Sequence, residues 1–378
     1  MFGEFHFGWF GTGALFFGRA LLSCATLERV PFLPGAPAAA APVEIDAILV
    51  VAHDEGLAAA LDSLRAQRGV SIGLLVVDDR SPPAIAARIA AAASAAGARL
   101  LPIDELPKDV MPWHHAVDRA LQLGERELVL LAMRPVRAST QDALARAHAG
   151  MLAARAAGLW LVPQLRAGAL APLALGSLGD ALPALGATQR DQDAPSLPMD
   201  LALYRRAFLA EALARGELAR APVLEYGIAQ HALDTHARLR VAHAAGEFAL
   251  APRLRLRDFA ETTERTLASF GLRPTLALLF AAFYLAAWLA AALGPFAENR
   301  YGLFACGGLL SLAVPGLLVA RVQRSSPLAG LLVPLAGLIE AVLLLALVTR
   351  VVVRRGVRWR GVGVSLAALR RPHGANRA

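Results

Sequence analysis

The chain has 378 residues, 56% of them hydrophobic and only 18% charged, which is too apolar for an ordinary soluble protein. Its net charge of +8 is unevenly placed, since Arg350 to Arg371 holds seven arginines and no acid. That tail, with Trp359 among its arginines, suits an anionic membrane surface, and no aromatic-interleaved basic face or motif points to nucleic acid.

Taken in order, Trp9 to Leu27 is hydrophobic and about one membrane thickness long, interrupted only by Arg19. The preceding residues carry Glu4 and no Lys or Arg, so residues 1–30 read as a retained anchor rather than a signal peptide. An interfacial helix is the alternative, and Arg19 must snorkel or meet an internal partner. Residues 31–43, rich in Ala and Pro, form a linker.

From Glu44 to about Arg265 the pattern is that of an α/β domain. The apolar run Ala47–Ala52 has the β-branched content of a strand buried on both faces, and it ends in His53, Asp54, Glu55 and Gly56. Leu57, Leu61 and Leu64 then recur at helical spacing. A second apolar run, Ile72–Val77, stops at Asp78 and Asp79. Strand–helix–strand with so short a crossover predicts two parallel neighbours joined right-handedly. Both then release their acids at the carboxyl edge of the sheet, where ligands bind in open α/β folds.

Further along, a helix is expected over Pro83–Ala96, a strand over Arg99–Pro102, and a loop holding Asp104, Glu105, Lys108 and Asp109. A helix through His115–Leu123 and a strand over Glu127–Ala132 follow. Thr140–Ala157 reads as a helix capped by Ser139 or Thr140, and Gly158–Leu165 as a strand. Leu170–Pro198 resists assignment. Leu201–Ala214 and Ile228–His236 read as helices and Leu239–Ala242 as a last strand. Such alternation implies a mostly parallel sheet with helices on both faces.

Past Arg273 the composition turns apolar. Residues 274–294, 303–320 and 328–349, within a membrane region 266–349, are three candidate spans, followed by the basic tail 350–378. Pro315 and Pro334 are expected to kink their helices. Glu340 is costly inside the last span unless it faces protein or a polar cavity. Three crossings would put the tail on the opposite side from the α/β domain, against the positive-inside rule. Either one span is re-entrant or interfacial or one of the three is not a span, with Leu303–Ala320, the shortest, as the weakest candidate. No internal repeat favours a transporter. Cys24 and Cys306 lie in hydrophobic segments and build neither a disulfide framework nor a metal site.

Four acids on adjacent strand ends make a candidate site. Ionised carboxylates accept hydrogen bonds from ribose hydroxyls and base N–H groups, although strand-end acids can also simply cap the following helices. The anchor FFGRA, AHDE after the first strand, LDSLRAQ in the next helix and VVDDRS after the second strand together resemble a family 2 glycosyltransferase. The LP-x-x-x-x-PW segment, the RT pair ahead of the first C-terminal span and the RWRG tail narrow the likeness to the membrane-bound, hopanoid-biosynthesis-associated branch.

The resemblance implies a GT-A-like nucleotide-sugar-binding domain in which Asp54, Glu55, Asp78 and Asp79 lie against the donor nucleoside. It also implies Mg²⁺ or Mn²⁺ held by a D-x-D motif after the strand Glu127–Ala132. Here Met133, Arg134 and Pro135 stand in those positions, so no metal ligands are expected and the cofactor is left open; Arg134 or Arg137 could hold the diphosphate instead. Asp191 and Asp193 form a D-x-D in a loop without a preceding strand. The family's Gly-Lys is replaced around Pro112 and Trp113, and its acidic pair is reduced to Glu225 beside Tyr226, leaving Glu225 as candidate general base. Arg265 matches the arginine ahead of the first C-terminal span. The expectation is thus transfer of a sugar from a nucleotide-sugar donor to a lipid or hopanoid-related acceptor at the cytoplasmic face of the inner membrane. A catalytically inactive relative that binds nucleotide sugar or lipid within an assembly is the alternative.

Overall fold

The computed structural model describes residues 2–27, 30–35, 42–107, 110–178, 200–215, 219, 223–250, 256, 259–260, 263–264, 274–296, 300–354, 356–359 and 362–365. The chain divides into two compact units, each described by itself. One comprises Pro31–Arg166, Ala187–Leu254 and Arg358–Ala378; the other comprises Met1–Val30, Ala167–Gly186 and Arg255–Val357.

The first unit is built on a seven-stranded sheet of order β3-β2-β1-β4-β7-β6-β8. Its strands are β1 (Val43–Val51), β2 (Val70–Asp79), β3 (Arg99–Ile103), β4 (Leu128–Ala132), β6 (Gly158–Val162), β7 (Leu201–Arg205) and β8 (Leu239–His243). β1 pairs in parallel with β2 and β4, as expected for the opening strand–helix–strand unit. β2 also pairs in parallel with β3, and β6 with β8. β7 alone runs antiparallel, between β4 and β6. The sheet is therefore mostly parallel.

Residues on β1 alternate between two cores. Ile45, Ala47, Leu49 and Val51 pack with Leu57, Leu61 and Leu64 of the helix Leu57–Arg65, and with Leu144, Ala147 and Met151 of the helix Ala143–Ala153. Ile48 and Val50 point to the opposite face, and both are buried. The helix Pro112–Leu121, which packs on β1 and β2, contributes the buried Trp113, Ala116, Val117 and Ala120. At the edge where β1 begins, Asp46 accepts hydrogen bonds from the Arg206 guanidinium and from the backbone N–H of Arg126. This joins β1 to the segments that lead into β4 and out of β7.

Three expectations are corrected. Leu201–Ala214 is not one helix but the strand β7 followed by the helix Arg206–Leu213. A small second sheet, β5 (Val136–Ala138) against β9 (Phe248–Leu250), was not anticipated. Neither Ser139 nor Thr140 caps the helix Ala143–Ala153. Its Leu144 N–H is taken instead by the Gln67 side chain at 3.0 Å, whose amide also donates to Thr140 O at 2.7 Å.

The second unit is a helical bundle closed by small residues. A β-carbon at Gly308 would press on the backbone of Gly13, Gly316 and Gly330 face each other, and Gly337 lies against the Trp288 ring. Arg19, in the helix Phe2–Leu27, meets an internal partner: it donates to the Tyr284 hydroxyl at 2.7 Å and lies 5.6 Å from the Trp288 ring centre. Glu340 faces protein, accepting from Ser177 Oγ at 3.1 Å. Ser177 belongs to the apolar helix Gly168–Leu178, which falls in the stretch that resisted assignment.

Pro315 and Pro334 do more than kink. The helix stops at Ser311 and restarts at Ala313, and stops at Leu331 and restarts at Val333, so each break falls within the turn that loses its N–H. By length and composition two segments suit a membrane crossing, Arg300–Val322 and Val333–Arg354. The first contains Leu303–Ala320, expected to be the weakest of the three. The N-terminal helix Phe2–Leu27 and the helix Pro274–Leu293 are apolar as well.

Candidate functional site

The register of the sheet decides which side chains share an edge. Val51 at the end of β1 pairs with Asp78 of β2, and Leu49 with Ala132 at the end of β4. Asp54, Asp78, Asp79 and Arg134 therefore leave their strands at one edge. Because β7 is antiparallel and Ala132 pairs with Leu201, the residue before β7, Asp200, arrives at that same edge.

Asp54 is held by Arg88 in a two-pronged pair, Nε to Oδ2 at 2.6 Å and Nη2 to Oδ1 at 3.0 Å. The Arg88 guanidinium draws its pKa below the usual carboxylate range. Glu55 is exposed in the turn that leads to Gly56, whose φ of 76° suits glycine at the start of the Leu57–Arg65 helix. Asp78 is buried, and its Oδ1 accepts from the Ser81 N–H at 3.1 Å, a local turn bond.

Asp79 is deeper. Its side chain is 0% exposed, and Oδ1 accepts from Arg80 Nε at 2.9 Å. Arg80 takes a left-handed backbone, φ 59°, an uncommon state for a residue with a β-carbon. Arg80 Nη2 and Ser81 Oγ are both buried with no hydrogen-bond partner among the described residues. His115, from the helix Pro112–Leu121, lies within electrostatic reach of Asp79. Its pKa is nevertheless lowered, chiefly by burial, with the Asp79 charge opposing weakly. The neighbouring His114 is also lowered by burial, and its Nε2 bonds Leu213 O at 3.1 Å.

Arg134 Nε lies 3.2 Å from Asp200 Oδ2, and the Met133 N–H bonds Asp200 O at 2.9 Å. Arg137, the alternative diphosphate group, is an exposed residue of β5. Glu225 stands in the first turn of the helix Leu224–Thr235 and is only 6% exposed. Burial first, and the Glu225 charge second, hold the Tyr204 phenol well above its ordinary pKa. Arg265, Lys108, Asp109, Asp191 and Asp193 lie outside the described residues.

The donor set does not suit a divalent cation. Met133 and Pro135 offer no hard oxygen, and the carboxylate at this place, Asp200, already carries a guanidinium. Among the described residues no group of three or more His, Cys, Asp or Glu converges as metal ligands.

Reasoning from sequence missed Asp200 and Arg88. The signal for Asp200 was present, an acid directly before the apolar run Leu201–Tyr204, but reading that run as a helix hid it. Arg88 gave no signal, because one arginine on the helix Pro83–Ala95 looks like ordinary solvated surface.

No family model matches the sequence, and no curated protein matches it. Solved structures do. A mannosyltransferase from Pyrobaculum calidifontis, in complex with GDP-Man and Mn²⁺, is 15% identical with a TM-score of 0.55, over 91% of this chain and 98% of that one. Glucosyl-3-phosphoglycerate synthase from Mycobacterium tuberculosis is 17% identical over 60% of this chain and 79% of that one, with a TM-score of 0.41. Mannosyl-3-phosphoglycerate synthase from Rubrobacter xylanophilus is 15% identical over 60% and 72%, with a TM-score of 0.40. The fold is GT-A-like.

Proposed function

We propose that the chain is a membrane-associated glycosyltransferase of the hopanoid-related type. It takes a hexose from a nucleotide-sugar donor to a hydroxyl of a lipid acceptor, at the cytoplasmic face of the inner membrane. The observation that carries this reading is the meeting of Asp54, Asp78, Asp79, Arg134 and Asp200 at one edge of a GT-A-like sheet. The named donor of the mannosyltransferase neighbour, GDP-Man, supports the substrate class.

In this reading Asp78 and Asp79 face the nucleoside and Arg134 takes the diphosphate. The acceptor oxygen attacks the anomeric carbon as the bond to the diphosphate breaks. Negative charge then grows on the leaving group, where a guanidinium stabilises it through charge-assisted hydrogen bonds. Glu225, a buried carboxylate in the first turn of the helix Leu224–Thr235, receives the acceptor's proton.

Calorimetry with UDP and with GDP, each with and without Mn²⁺, tests the reading: binding of at least one, unchanged by the metal, is expected. No binding of either would overturn it. Transfer of labelled hexose to a membrane lipid extract by wild type, and its loss in Glu225→Gln, tests the chemistry. A second reading, a nucleotide-sugar-binding member without catalysis, is favoured by the replacement of the D-x-D motif with Met133-Arg134-Pro135. It predicts binding with no transfer by the wild type.

A further inference from the structure

The helix Pro112–Leu121 runs against the direction of β1 and β2, on which it packs. Its last residue, Leu121, accepts at its carbonyl from Arg206 Nη1 at 2.8 Å, and the same guanidinium binds Asp46 where β1 begins. The first turns of the helix therefore stand towards the opposite edge, where β1 and β2 release their acids. Pro112, Trp113, His114 and Ala116 are all buried there. His115 alone among those first five residues keeps contact with solvent. No described residue hydrogen-bonds its ring.

The surroundings of His115 favour the neutral imidazole. Burial first and Arg119 second lower its pKa, with His114 adding to them, while Asp118 and Asp79 oppose. The other charges on elements packed against this helix face elsewhere. Glu44, Asp46 and Arg206 sit at the far edge, and Glu211 is turned to His231, 3.8 Å away. In the empty site the ring is thus uncharged at neutral pH. Arg134 is always charged, but Asp200 already offsets it. A diphosphate reaching this edge would therefore meet little net positive charge, and its own charge would favour protonation of an imidazole beside it.

We infer that His115 is a donor-binding residue: its imidazole takes up a proton from solvent as the diphosphate arrives and donates from the resulting imidazolium to a phosphate oxygen. This rests on the nucleotide-sugar reading above and deepens it, because it gives the diphosphate a second cation that exists only in the filled site. Linkage then sets the sign. A ligand that binds together with a proton binds more tightly as pH falls, and in turn raises the affinity of the ring for that proton.

Calorimetry on the full-length chain in detergent tests this, with UDP and GDP as probes and uridine and guanosine as phosphate-free controls. Titrations at about pH 7.5 in two buffers of different ionisation enthalpy give the protons taken up on binding. The wild type is expected to take up protons with UDP or GDP, to take up none with the nucleosides, and to bind several-fold more tightly at about pH 6.5 than at about pH 8. His115→Gln should bind several-fold more weakly, with the proton uptake gone. His115→Lys, a permanent cation, should keep the affinity without proton uptake, which separates the charge from any structural part the side chain plays.

Proton uptake by His115→Gln equal to that of the wild type would overturn the inference and leave the nucleotide-sugar reading in place. So would binding of UDP or GDP by the wild type with no proton uptake, or loss of binding in His115→Lys as great as in His115→Gln. If the wild type binds neither diphosphate, both readings fall.

Discussion

At the scale of single residues, the proposed donor site offers a fixed organic cation where the resemblance implies metal ligands. Arg134 is pinned by Asp200 at 3.2 Å, so in this proposal a diphosphate would meet a guanidinium already oriented, with less side-chain entropy left to lose. Arg134→Ala should weaken UDP or GDP binding by about tenfold or more, the scale of one lost charge-assisted hydrogen bond. Added Mn²⁺ should not rescue it, which calorimetry can check directly; rescue would mean that a metal site exists after all. Buried histidines, His114 among them, contribute to the response to acid. Burial lowers the His114 pKa, so the folded chain resists a proton that the unfolded chain accepts below about pH 6.5. The sign follows: stability is full above that pH and falls as pH drops below it. His114→Gln, which can still donate to Leu213 O, should flatten the loss of thermal stability between about pH 6.5 and 5. An unchanged acid limb in a pH series of unfolding temperatures would count against this. Some slope will persist, because burial also lowers His115, His148 and His231.

At the scale of elements, the sequence was readable wherever one segment's pattern decided its own structure. β1, β2 and the helix between them carry their strand length, helical spacing and terminal acids within Glu44–Ser81, and the structure has them where they were expected. β7 was not readable. Leu201–Tyr204 is buried on both faces, so it shows no alternation, and it runs without Gly or Pro into the helix Arg206–Leu213. Only pairing with β4 and β6, distant in sequence, makes it a strand. The cost of that misreading was functional, because it concealed Asp200. Asp46 was likewise silent, being one acid inside a strand, yet it ties Arg126 and Arg206. Asp46→Asn keeps the shape but leaves those guanidiniums short of a counter-charge. It should lower the unfolding free energy by about 3 kcal/mol, measurable by denaturant unfolding of the chain in detergent. In the helical unit the comparable change is Gly337→Leu, whose side chain would overlap the Trp288 ring. A loss of about 1–3 kcal/mol is expected from such overpacking, with little effect on nucleotide affinity.

At the scale of the whole molecule, the difficulty posed by the arginine tail turns on the number of crossings. Three spans after the sheet unit would carry the tail to the far side of the bilayer. Arg300–Val322 and Val333–Arg354 are long and apolar enough to cross, and the helix Pro274–Leu293, 20 residues long, is apolar too. Two crossings return the chain to the side from which it entered. Arginines close to the end of a span favour the cytoplasmic side, and Arg350 and Arg354 lie in the last turns of the final helix. The positive-inside expectation therefore has sheet and tail together in the cytoplasm, with two of the three C-terminal apolar helices crossing the bilayer. Single cysteines introduced at Gln122 and at Ala368, with Cys24 and Cys306 replaced by alanine, test this. Both should react with a membrane-impermeant maleimide in inverted vesicles and neither in intact spheroplasts. Labelling of Ala368→Cys from the outside, with Gln122→Cys labelled only from within, would establish an odd number of crossings and put the basic tail against the positive-inside rule.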